Sequence, residues 1–108
     1  MARRRVTWAP LALSDLQQVV QFLGRNDRDI AKAFAKRVYQ QARDLASFPE
    51  GARIVPESQE PNCREIFIGS YRLVYLVTVT SVTIVGFFQG GHQIKRLLRQ
   101  SGRDPQSS

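Results

Sequence analysis

Cysteine and histidine are almost absent from this 108-residue chain, with Cys63 and His92 the single representatives of each. One thiol excludes an intramolecular disulfide framework, and one thiol with one imidazole cannot build a zinc site. Long apolar runs are missing too. No stretch approaches the roughly 18–20 uncharged apolar residues that a bilayer-spanning helix demands. Arg3-Arg4-Arg5 stand before an apolar patch, as in a secretory leader, but Val6 to Leu13 contains Pro10 and runs into Asp15, Gln17 and Gln18. No continuous h-region follows, so a reducing cytoplasm is the expected compartment, with no membrane partner and an inert Cys63. Acidic residues are scarce: nine Asp and Glu face 16 Lys and Arg, for a net charge of +7. That imbalance favours a polyanionic or acidic partner.

What is present suffices for one core. A hydrophobic content of 43% excludes a wholly disordered chain, and the length fits a single domain over residues 1–100, with 101–108 (SGRDPQSS) a flexible tail. Residues 3–8 read as a short strand. Pro10 suits the first turn of a helix, and Leu13, Leu16, Val20 and Leu23 give residues 10–24 an apolar face ending at Gly24. Asn26 or Asp27 can cap a second helix of about 20 residues, carrying Ile30, Phe34, Val38, Leu45 and Phe48 and stopped by Pro49 and Gly51. Residues 51–62 are turn-rich and irregular. Three apolar runs follow, at 64–68, 71–78 and 82–88, joined by connections short enough for antiparallel hairpins. Residues 92–100 read as a short basic helix. The expected class is α+β: an N-terminal strand and a helical hairpin packed on an antiparallel sheet.

The strand from Tyr71 is apolar on both faces. Tyr71, Leu73, Tyr75 and Val77 point one way, and Arg72, Val74, Leu76 and Thr78 the other. The helical pair can cover one face. The other is expected to be covered by the C-terminal helix, a second copy of the chain or a partner peptide. Arg72, with its fixed guanidinium fork on that face, draws attention as a site residue.

These pieces together resemble the RelE/ParE superfamily of type II toxin–antitoxin toxins, also called the plasmid stabilisation family. The resemblance rests on Val6-Thr7-Trp8-Ala9-Pro10 with Ala12-Leu13-Ser14-Asp15-Leu16, on Phe48-Pro49-Glu50-Gly51 and Val55-Pro56-Glu57, and above all on Arg64-Glu65 and Tyr71-Arg72-Leu73-Val74-Tyr75-Leu76-Val77. It covers roughly residues 3–95 in the family's order. It implies a small growth-inhibiting toxin, masked by a cognate antitoxin and without a metal or cofactor, as a homodimer or a toxin–antitoxin hetero-oligomer. Two activities are implied. RelE-like members are ribosome-dependent endoribonucleases that cut mRNA, whereas ParE-like members inhibit DNA gyrase. Fold alone does not choose between them, and a degenerate toxin that only binds antitoxin is a third reading.

The cleavage reading leads, and it assigns roles. Arg72 would stabilise the scissile phosphate, His92 would act as general acid and Glu57 as general base. Arg64, Lys95 and Arg96 would bind RNA. Against it, Arg72 can equally serve as a scaffold arginine paired with Glu65 or Glu57. The loop Gln89-Gly90-Gly91-His92 also lacks basic residues that many nucleolytic relatives carry. The long second helix favours the ParE-like branch.

Overall fold

The computed structural model describes residues 3–58 and 60–89; the expected C-terminal helix, the tail and His92, Lys95 and Arg96 lie outside the described residues. Element order is β1 (Arg5–Trp8), α1 (Pro10–Gly24), α2 (Arg28–Asp44), a single 3-10 turn (Pro49–Gly51), β2 (Arg53–Ile54), β3 (Cys63–Ile68), β4 (Tyr71–Val77) and β5 (Ser81–Gln89). The five strands form one sheet in the order β1-β5-β4-β3-β2. Four of them are antiparallel neighbours, as expected, and β1 joins the edge parallel to β5, making the sheet mixed. Between β1 and its parallel partner β5 run the helical hairpin and strands β2 to β4, more than the long connection that a parallel pairing requires.

Local chemistry explains most boundaries. Pro10 opens α1 where no intrahelical N–H bond is lost. The Asp27 carboxylate accepts hydrogen bonds from the Asp29 and Ile30 amides and so caps α2. Gly69 takes φ +62° in the two-residue turn between β3 and β4, where a side chain would be strained. The Thr78 hydroxyl accepts from the Thr80 and Ser81 amides and closes the β4–β5 turn.

Helix α2 runs 17 residues and stops at Asp44, short of the expected end at Phe48. Leu45 and Ala46 are buried, and the Ala46 carbonyl accepts the Arg4 amide at 3.0 Å. The segment after α2 thus ties down the start of β1, and Pro49 disfavours helical backbone at the residue before it.

The core lies between the helices and one face of the sheet. Ala12, Leu16, Val38 and Ala42 of the helices meet Ile68, Leu73, Tyr75, Val82, Ile84 and Phe87 of the strands. Phe34 packs edge-on to Tyr71 at 5.6 Å, and Tyr71 stacks on Phe87 at 5.3 Å. The opposite face corrects an expectation. Val74, Cys63 and Phe88 are sealed there by Val55, which is fully buried, with Leu76 and Val85 packed against them. The irregular segment, through Val55, therefore covers much of the second apolar face from within the chain. Periodicity could not reveal this, because Val55 belongs to no amphipathic element. Among the described residues no helix is long and apolar enough to cross a membrane.

Candidate functional site

The covering segment also brings together the charged residues of interest. Arg72 is the second residue of β4, opposite Phe67 of β3 and Phe88 of β5, and its side chain leaves the sheet on the face away from the helices. Glu65 of β3 shares that face and is paired across the ladder with Arg53 of β2. Glu57 arrives from the turn after Val55-Pro56. Arg72 is 6% exposed and Glu65 1% exposed, so neither charge can be left unpaired.

The pairing is complete. The Arg72 Nε donates to Glu65 Oε1 at 2.9 Å, and its Nη2 donates to the same oxygen. The two Nη groups also grip Glu57 bidentately, at 3.1 Å to Oε2 and 3.0 Å to Oε1. Glu65 Oε2 accepts from Arg53 Nε at 2.7 Å and from Arg53 Nη2. Arg53 lies over the half-exposed Phe67 ring, 5.3 Å from its centroid. Two guanidinium groups and two carboxylates thus form one neutral network. No buried side-chain polar atom lacks a hydrogen-bond partner among the described residues.

The electrostatic consequences follow from this geometry. Hydrogen bonds from Arg72 hold the Glu57 carboxyl below the ordinary carboxylate range, overcoming the opposing effect of burial. Hydrogen bonds to Glu57 and Glu65 push the Arg72 guanidinium higher still. A carboxylate held in this way is a weaker proton acceptor, and an arginine so saturated offers no free fork to a phosphate.

Arg64, expected on RNA, spends part of its guanidinium on the backbone. Its Nε donates to the Pro61 carbonyl at 2.9 Å, and its Nη1 donates to the carbonyls of Glu50 at 2.9 Å and Ala52 at 2.8 Å. It clamps both ends of the irregular segment to β3. Tyr75 serves the same region, its buried hydroxyl donating to the Pro49 carbonyl at 2.7 Å, and burial pushes this phenol up to about 12.

The model of the family described as ParE toxin of type II toxin-antitoxin system, parDE, matches residues 6–94. The chain belongs to the ParE toxin family. It is therefore a toxin of a type II toxin–antitoxin system, within the RelE/ParE superfamily that its sequence resembles. Curated protein sequences include no significant match.

Solved structures share the architecture at low identity. A chain of the chromosomal ParDE system from P. aeruginosa is 14% identical, with a TM-score of 0.69 over 82% of this chain and 98% of that one. The toxin–antitoxin complex RelBE2 from Mycobacterium tuberculosis contains a chain 22% identical, with a TM-score of 0.58, covering 83% and 94%. A mutant of the E. coli toxin RelE in the free state is 17% identical, with a TM-score of 0.58, covering 97% and 99%. At such identities the likeness concerns the fold.

Of the site residues expected from this ParE-family sequence, the fold brings Arg72 and Glu57 together and sets Arg64 apart as a clamp. Arg53 was not anticipated. Its pairing with Glu65 depends on β2, a two-residue strand inside a segment with no periodic signal.

Proposed function

We propose that this toxin acts in the cytoplasm by the ParE-like route, inhibiting DNA gyrase through a macromolecular contact, and that a cognate antitoxin masks it. One observation carries the reading: the strand arginine available for phosphate chemistry is closed inside a neutral network with Glu57 and Glu65. A toxin that works by contact needs no free catalytic cation, so neutralising Arg72 costs it nothing. Membership of the ParE family points the same way. The antitoxin follows from the class of system, and the surplus of basic residues suits a partner of opposite charge.

Ribosome-dependent mRNA cleavage is the competing reading. It retains His92, Lys95 and Arg96 as candidates, and it requires Arg72 to exchange Glu57 for a scissile phosphate. Purified full-length toxin should inhibit supercoiling by gyrase and leave mRNA intact on translating ribosomes. In cells, induction should bring DNA-damage signalling and filamentation before protein synthesis falls. Ribosome-dependent cleavage that is abolished by His92→Ala, with gyrase unaffected, overturns the proposal. Absence of both activities also overturns it and favours a degenerate antitoxin-binding protein.

A further inference from the structure

The two helices approach closely where α1 ends and α2 begins. Gly24 is the last residue of α1, Ala31 lies in the first turn of α2, and a Cβ added at Gly24 would meet only the Ala31 Cβ, at 3.6 Å. With no larger side chain between them, Val20, Gly24 and Ala31 floor a shallow recess of about 360 Å³. That size falls at the lower end of ligand pockets, roughly 300–1,000 Å³. The lining is almost wholly apolar, and the rim carries Arg25, Arg28 and Lys32, all exposed. None of the three takes part in an ion pair among the described residues. Asp27 and Asp29 adjoin the rim on the side of the turn, and the Asp27 carboxylate is engaged by the Asp29 and Ile30 amides. Exposed Lys36, one turn beyond Lys32, keeps the neighbourhood positive, with four cations against two carboxylates.

We infer that this recess is the docking site of an acidic peptide segment, which places an aliphatic side chain between the helices and carboxylates on the rim. Carboxylates suit the rim because its cations converge from the interhelical turn and from successive turns of α2. An aliphatic anchor suits the floor, since burying one leucine side chain corresponds to about ten- to a hundredfold in affinity. A nucleic-acid backbone would meet the cations but bring no aliphatic group to the floor. A second copy of the chain is a poor occupant as well. Each copy carries a net charge of +7, and Glu50, Glu57 and Glu65 are already held by Arg4, Arg72 and Arg53. The recess lies between the helices, whereas Arg72 leaves the opposite face of the sheet, so the inference does not rest on the gyrase reading.

The peptide EELLEE, titrated to millimolar concentration into isotopically labelled full-length chain, tests it through amide chemical shifts. Shifts should centre on residues 20–32, and affinity should fall as salt screens the rim. Gly24→Leu fills the floor without changing charge, and Arg28→Glu with Lys32→Glu reverses the rim; each should weaken binding at least about tenfold. A pair of equal charge elsewhere, Arg3→Glu with Arg5→Glu, should weaken it less than about threefold. Circular dichroism checks each variant, and should Gly24→Leu fail to fold, Gln21→Trp roofs the recess instead. The peptides EESSEE and KKLLKK, which lack the anchor and the carboxylates in turn, should each bind at least about tenfold more weakly. Equal losses in the two charge pairs, no saturable binding of EELLEE, or equal binding of either control peptide overturns the inference. Duplex DNA binding that Gly24→Leu weakens overturns it in favour of a nucleic acid, and a sedimenting dimer that Gly24→Leu dissociates overturns it in favour of a second copy.

Discussion

At the scale of single residues, Glu65 ties the charged network together. It is the counter-ion of both Arg53 and Arg72, and it is fully buried where water cannot replace it. Glu65→Ala would leave Arg72 with only the partly exposed Glu57, and removing one partner from a buried ion pair typically costs about 3–5 kcal/mol. Urea unfolding should show that loss as a lower midpoint with the slope unchanged. Glu57 carries a different signature. Its carboxyl titrates below its ordinary value near 4.5 in the folded chain, so its pairing with Arg72 stabilises fully above that pH. As pH falls below 4.5 the unfolded chain takes up the proton first, and the contribution fades until the folded carboxyl is protonated too. Glu57→Gln should therefore be less stable than the wild type at neutral pH, with the difference shrinking steadily in acid. A difference independent of pH would show that Glu57 acts through packing alone.

At the scale of elements, the helical hairpin and the irregular segment are held by different means. Helix α2 depends on a local device, the Asp27 cap, and Asp27→Ala should cost about 1 kcal/mol without altering the sheet. Hydrogen exchange should report that loss first in the opening turn of α2. The irregular stretch from Glu50 to Asn62 depends on remote contacts instead: Val55 in the outer cluster, Glu57 on Arg72, and Arg64 on three carbonyls. Its conformation was therefore illegible in sequence. Gly, Pro, Ser and Asn mark turns but do not say which side chain returns to the sheet. The two helices and three long strands were legible because each carries a repeating apolar pattern. The end of α2 was not, since Leu45 and Phe48 continue the helical pattern while the backbone leaves the helix.

At the scale of the molecule, β3, β4 and β5 serve two apolar clusters at once. Leu73 and Val74 are consecutive and fully buried, one facing the helices and the other the irregular segment. Unfolding should therefore be a single transition for both faces. Leu73→Ala should lose about 2–5 kcal/mol. Both it and Val74→Ala should shift Trp8 fluorescence and far-ultraviolet dichroism together. Separate transitions by the two probes would show that the outer cluster is an independent unit. The second cluster also changes what a partner protein can gain, because much of the outer sheet face is already dry before any antitoxin arrives.

Sequence alone determined the α+β class, the helical hairpin, the order of the long strands and the family resemblance. All of these follow from periodicity, capping residues and ordered motifs that act over short distances. Tertiary structure decided the parallel docking of β1, the burial of Val55 and the state of Arg72. Whether a guanidinium is free for a phosphate or closed against carboxylates depends on where Glu57 and Glu65 arrive in space, and they come from a turn and a neighbouring strand rather than from Arg72's own strand.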